Sequence, residues 1–335
     1  MSLVGDVILL LVNGLQVGAI YVLLAIGLSI ILGTLKFVNF AHGALYVVGA
    51  YAGLLITQEI SISNGKLAEW GFPTLGLEWG FLAALAIVPL FVFVVGLAME
   101  RFVARPFYDR PDTDQILVTF GLAIIVQELL HALFGGRSYS YDIPSNVLGS
   151  LPLSGPIAVP LTEVTIDVWR IWVIAITATL VLGVYVIVEY TDFGLVVKAG
   201  TRDPEMVRLL GIKITRPYIV MFGIGAGLAG AAGVVGAPLS NINPEIGTTI
   251  LVPAFLTVVI GGVGSIRGAI LGGTLIGLVQ VTLITLGSVT FLVRQVDFLF
   301  QFNFTPWAQV GIYVLAVVVL LTRPQGLLGS EEVST

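Results

Sequence analysis

Cysteine is absent from the 335 residues, so disulfides and thiol chemistry are excluded, and the redox compartment cannot be read. Histidine occurs only twice. Charge is scarce as well: 10% of residues are Asp, Glu, Lys or Arg, against about 25% in a soluble domain. Such a chain has too little polar surface to face water. No glycine run leads into Gly-Lys-Ser/Thr, which excludes a P-loop and nucleotide binding by that route. There is no basic patch for nucleic acid, and the net charge of −5 says little about partners. No H-E-x-x-H and no positioned nucleophile and base are present, which argues against an intramembrane enzyme. Met1 to Asp6 lacks a basic n-region before a long apolar run, so a retained first span is expected rather than a cleaved signal peptide.

What is abundant is apolar: 57% of residues are hydrophobic, and 40 are glycine. Apolar runs fall near 7–33, 38–57, 80–98, 116–134, 171–188, 218–238, 251–262, 269–287 and 307–322. A crossing takes roughly 20 residues, so about nine spans (eight to ten) fit. In lipid every backbone N–H needs an internal partner, so the runs are expected to be helices; a β-barrel would show short alternating segments. The expected fold is an all-α polytopic bundle forming one transmembrane domain over 1–335. Two stretches interrupt it. The run 251–262 is too short to cross and carries Pro253, and 34–43, with Lys36, Asn39 and His42, is more polar than its flanks. Each is either a tight turn between spans or a break lining a transport site.

Basic residues orient the chain. With the N-terminus outside, eleven Lys and Arg lie inside and four (Lys66, Arg137, Arg170 and Arg294) lie outside. The expectation is therefore an external N-terminus, a cytoplasmic C-terminus and an odd number of spans. Five of the eleven fall in the loop 189–217. Within it, Asp203-Pro204-Glu205-Met206-Val207-Arg208-Leu209-Leu210-Gly211 reads as a short helix. Asp203 suits the N-cap, Pro204 the first turn and Gly211 the left-handed stop, while Glu205 complements the positive helix end. Two turns are not stable alone in water. Met206, Val207, Leu209 and Leu210 must dock on the chain's own membrane domain, in the lipid interface, or in a groove of a cytoplasmic partner.

Polar groups inside spans are costly and often functional. Gln127 and His131 share a face of the fourth span, and Glu128 with His131 spells a single E-x-x-H, which is not enough for a di-metal site. Glu128 is read as interfacial. Asn13 and Gln16 share a face of the first span, and helix–helix hydrogen bonding or a pathway role fits both, as for Gln280. The glycines of 223–236 and the G-x-x-x-G pairs of 264–277 read as close-packing seams.

Several stretches together resemble the branched-chain amino-acid ABC permeases of the LivH/LivM family, most nearly the LivH type. They are Asn39-Phe40-Ala41-His42-Gly43 followed by Gly49-Ala50-Tyr51; the segment from Phe222 to Gly233; Gly261-Gly262-Val263-Gly264-Ser265; and Arg323-Pro324-Gln325-Gly326-Leu327-Leu328-Gly329. Their order agrees along nearly the whole chain. Glu205-Met206-Val207 with Gly211 has the E-A-A-x-x-x-G spacing of the loop by which ABC permeases contact their ATPases, with Met206 and Val207 replacing the alanines. Ala44 stands where many relatives carry Glu after A-H-G, so no role tied to that acid transfers.

The resemblance implies an importer permease for branched-chain or other hydrophobic amino acids in the inner membrane. It implies a homologous second permease, two cytoplasmic ATPase subunits that bind the ATP, and an extracytoplasmic solute-binding protein. The chain itself would hold no cofactor and no metal. Asp203, Glu205, Met206, Val207, Arg208, Leu209, Leu210 and Gly211 would couple to the ATPase; Asn39, His42, Asn13 and Gln16 are the pathway candidates. A urea or short-amide permease is the rival within this architecture. A secondary transporter or channel is the rival outside it, though that would need coupling carboxylates or a lined filter near mid-membrane.

Overall fold

The computed structural model describes residues 3–143, 146–147, 151–160, 164–285 and 307–329. In chain order the helices are α1 (Leu3–Leu35), α2 (His42–Thr57), α3 (Lys66–Glu69), α4 (Phe81–Met99), α5 (Asp112–Phe134), α6 (Val168–Tyr190), α7 (Asp192–Arg202), α8 (Pro204–Leu209), α9 (Thr215–Gly236), α10 (Ile246–Gly261), α11 (Ile266–Thr285) and α12 (Trp307–Thr322). Helix α4 closes in a π-turn, Glu100–Ala104, and a 3₁₀ turn, Arg105–Phe107. Three small antiparallel hairpins decorate the connections: β1 (Ile60–Ser61) with β2 (Thr74–Leu75), β3 (Asn146–Val147) with β4 (Leu151–Pro152), and β5 (Pro156–Ala158) with β6 (Thr165–Asp167). The fold is an all-α polytopic membrane bundle.

Each of the nine apolar runs contains a helix. Six of these (α1, α4, α5, α6, α9 and α11) are long and apolar enough to cross a bilayer, and α2, α10 and α12 are shorter. A 16-residue helix is about 24 Å long, short of a ~30 Å hydrocarbon core. For α2 and α10 the rest of the distance is made by irregular chain. The short run at 251–262 extends back to Ile246, because Gly247, Thr248 and Thr249 lower its hydropathy without breaking the helix.

Helices α1 and α9 form the centre. Both are apolar on every side, as buried helices are. Helix α1 packs on α6, α9, α10 and α11, and α9 packs on α1, α2 and α4. The glycine seams set these distances. A Cβ on Gly27 would come within 2.6 Å of the Gly225 carbonyl oxygen, and one on Gly49 within 2.5 Å of Gly230. Those positions let the backbones of α1 and α2 lie directly on α9.

Candidate functional site

The site is built where α1 gives way to α2. Lys36 takes a left-handed backbone (φ 50°), a conformation that commonly ends a helix. The chain then runs back along α1 as an irregular stretch, 37–41, that ends in a turn at 40–41 and in which Phe37, Asn39 and Ala41 are buried. Helix α2 therefore starts inside the bundle, level with the middle of α1. Non-helical backbone survives at that depth only if protein satisfies it, and α5 does so with two buried side chains. Gln115 Oε1 accepts from the Val38 N–H at 3.0 Å, and Thr119 Oγ1 accepts from the Phe40 N–H at 3.0 Å. Gln115 Nε2 donates to the carbonyls of Phe107 (3.3 Å) and Arg110 (3.1 Å), which fixes its amide orientation. Asn39 Oδ1 takes the Ala41 N–H at 3.1 Å, an Asx-type turn.

His42 opens α2 and is fully buried, with Nε2 3.1 Å from the Leu24 carbonyl of α1. A carbonyl can only accept, so Nε2 carries the proton. Gly27 leaves room for the ring: a Cβ there would lie 3.0 Å from His42 Cε1. His42 Nδ1 and Asn39 Nδ2 are buried without a hydrogen-bond partner among the described residues. Unpaired buried polar atoms are uncommon and costly, and here both sit at the break.

The second irregular entry meets the first. Tyr139 and Ile242 exchange backbone hydrogen bonds of 2.8 Å, which pins the loop before α10 to the loop after α5. Helix α10 then begins within the bundle against α2. A Cβ on Gly43 would lie 2.3 Å from the Gly247 carbonyl oxygen, so the two helices touch backbone to backbone. Helix α5 stands off from α10 across a cleft of ≈ 220 Å³. Phe40, Gly43, Ala44 and Val47 form one wall; Phe120, Ala123, Val126, Gln127 and Leu130 of α5 form the second; Pro244, Gly247, Thr248, Leu251 and Val252 form the third. Among the described residues, Gln127 and Thr248 are its only polar side chains, and no charge lines it. The volume is below the ~300–1,000 Å³ of drug-sized pockets and suits a small neutral or apolar group. Among the described residues no cluster of three His, Cys, Asp or Glu side chains could hold a metal.

The four pathway candidates separate. Asn39 and His42 face α1 and the turn, shaping the break, while their neighbours Phe40, Gly43 and Ala44 line the cleft. Asn13 and Gln16 lie near Arg170 of α6, whose Nη1 donates to Asn13 Oδ1 and, at 3.4 Å, to Gln16 Oε1. Glu128 and His131 are exposed on the last turns of α5. Gln115 and Thr119 were not singled out from sequence; the signal available was two polar residues four apart on one face of an apolar helix. Glu100 was missed too. It is fully buried in the π-turn, bridged to Arg105 at 3.0 Å and accepting from the Tyr108 hydroxyl at 3.0 Å. Burial, then the Glu100 carboxylate, pushes the Tyr108 phenol up. Its ring meets Phe37 edge-on at 5.8 Å, which ties this turn to the break.

At the other end of the loop 189–217, Asp203 caps α8 by accepting from the Met206 N–H at 2.9 Å. Gly211 takes φ 79° just beyond the helix. Val207 is buried, whereas Met206 (53% exposed), Leu209 (78%) and Leu210 (70%) point away from the bundle. Helix α7, which sequence reading left as loop, carries α8. It is capped by Thr191 and seated through buried Val197.

This is a membrane permease by architecture: a helical bundle with two broken entries facing an intramembrane cleft. Comparison with known proteins agrees. Residues 10–321 match the family described as branched-chain amino acid transport system / permease component, and the chain belongs to that family. It is 30% identical to the high-affinity branched-chain amino acid transport system permease protein LivH of Salmonella typhimurium, over 96% of this chain and 95% of that protein. It is 31% identical to the permease protein BraD of Pseudomonas aeruginosa, over 96% of each. The probable LivH of Methanocaldococcus jannaschii is 25% identical over 92% of this chain and 89% of its own length. No solved structure matches.

Proposed function

We propose that the chain is the membrane subunit of an ATP-driven ABC importer for branched-chain or other hydrophobic amino acids, and not an enzyme. The observation that carries this is similarity from end to end with permeases named for that transport, at 30% identity over 96% of the chain. The cleft supports it: an apolar, uncharged wall that includes Ala44, with Gln127 and Thr248 for polar contact. In this reading Asn39 and His42 serve the pathway by holding its broken wall. Asn13 and Gln16, with Arg170, stand at the outer end of α1.

The chain lies in the inner membrane with its N-terminus outside and its C-terminus in the cytoplasm, following the excess of basic residues on the cytoplasmic side. Helix α8 is the coupling element. Its side chains from Asp203 to Gly211 present Met206, Leu209 and Leu210 for burial in an ATPase groove, and two-turn helices need such a seat. ATP is bound by two ATPase subunits. A homologous second permease closes the pathway against the open side of α5, and a solute-binding protein delivers the substrate. Proteoliposomes holding the assembled complex test this. ATP-dependent uptake of leucine in the presence of the binding protein is expected. Uptake of urea but not leucine, or uptake driven by an ion gradient without ATP, would overturn the assignment.

A further inference from the structure

A second cavity lies away from the cleft, on the outer face of the bundle between α1, α6 and α11. It is a groove of ≈ 430 Å³ with an apolar wall that includes Ala19, Val22, Val181, Leu182 and Ile270. Along α6 it runs from Ile174 to Tyr185. Those twelve residues rise about 16 Å, which is half of a ~30 Å hydrocarbon core, or one leaflet. One end is polar. There Arg267 Nη2 donates to the Tyr185 hydroxyl at 2.6 Å, and the guanidinium lies over the same ring, 5.7 Å from its centroid. This holds Arg267 at the groove's mouth with most of its five donors free to bind. Arg267 has no carboxylate within 4.0 Å among the described residues; Glu189, one turn further along α6, is engaged by Lys198 at 2.6 Å. The mouth is the end at which α6 passes into α7, the cytoplasmic side in the orientation proposed above.

We propose that this groove binds one acyl chain of an anionic phospholipid of the inner leaflet, with its phosphate on Arg267. Charge and size select the occupant. A fixed cation at headgroup depth, next to an apolar channel one leaflet long, matches a lipid whose head is negative.

The test is native mass spectrometry of the assembled complex, delipidated in mild detergent and then supplied with phosphatidylglycerol or phosphatidylcholine of the same chains. The expected result is retention of phosphatidylglycerol over phosphatidylcholine. Arg267→Gln should lower phosphatidylglycerol retention about five-fold, the effect of losing one cation at an anionic surface. Arg216→Gln, an exposed cation away from the groove, should not. Ala178→Phe, which narrows the groove, should lower retention of both lipids. Equal retention of the two lipids by the wild type, or equal behaviour of Arg267→Gln and Arg216→Gln, would overturn the proposal. So would a photoreactive residue at Leu182 that captures protein instead of lipid. The readout needs no transport, so its failure is distinct from failure of the uptake assay.

Discussion

The irregular stretch between α1 and α2 is held by α5, and Gln115→Leu removes that hold while keeping much of the side-chain volume. The Val38 N–H then loses its acceptor, and the Phe107 and Arg110 carbonyls lose a donor. Arg110 is exposed, so its carbonyl can turn to water. The cost falls mainly on the Val38 N–H, about 1–3 kcal/mol for a donor left unsatisfied at depth. Local opening of 37–41 should become easier by that amount, a factor of roughly 5 to 150. The chain contains no cysteine, which gives a clean assay. Ala41→Cys, at a position 1% exposed, should react slowly with a maleimide, and Gln115→Leu in the same background should speed labelling by that factor. Thr119→Val should act in the same direction and by a similar factor. Its hydroxyl donates at 2.7 Å to the Gln115 carbonyl of its own helix, so only the Phe40 N–H is orphaned. Thr179→Val removes an exposed hydroxyl that also bonds its own helix and should change nothing. If Gln115→Leu labels no faster than Thr179→Val, α5 does not hold the break.

Two further outcomes follow from packing and burial. Gly27→Ala would press a methyl against the Gly225 carbonyl and the His42 ring, and should destabilise the α1–α9 contact by about 1–3 kcal/mol. Gly121→Ala, with nothing within 4 Å of the new atom, should be neutral or slightly stabilising; denaturation of the two purified complexes side by side checks the difference. Outside the membrane, burial pushes the Tyr141 phenol up to about 12, with its hydrogen bond to Thr57 pulling the other way. A raised acid pKa favours the neutral form in the folded state. Its contribution is thus complete below pH ~10, the unfolded value, and is lost as pH rises toward 12. Thermal unfolding across an alkaline series should show that loss, and Tyr141→Phe should remove it.

The spans were legible because hydropathy specifies them: among the described residues, each of the nine apolar runs holds a helix, six of them long enough to cross a bilayer. The break at 36–41 was visible as polar residues between apolar ones, and the caps of α8 as Asp203, Pro204 and Gly211. What could not be read was which faces meet. Nothing in the sequence says that Gln115 and Thr119 reach back some eighty positions to Val38 and Phe40, since that pairing is made by tertiary packing. For the same reason Asn39 and His42 were indistinguishable from cleft-lining residues, and Ala44 from any other apolar position. The partner of Asn13, an arginine 157 residues away, was likewise hidden. Helix α7 escaped notice because its eleven residues carry charges at Asp192, Lys198 and Arg202, which read as loop beside the apolar spans.

In the proposed importer, force reaches the bundle through α8, and one crosslink tests that role. In a chain otherwise free of cysteine, Met206→Cys places a single thiol on the exposed side of that helix. In a complex that still takes up leucine on ATP, a short thiol crosslinker should join this position to the ATPase subunit, with a yield that changes when nucleotide is added. An active complex in which Met206→Cys joins only its own chain, or nothing, would contradict the coupling role of α8.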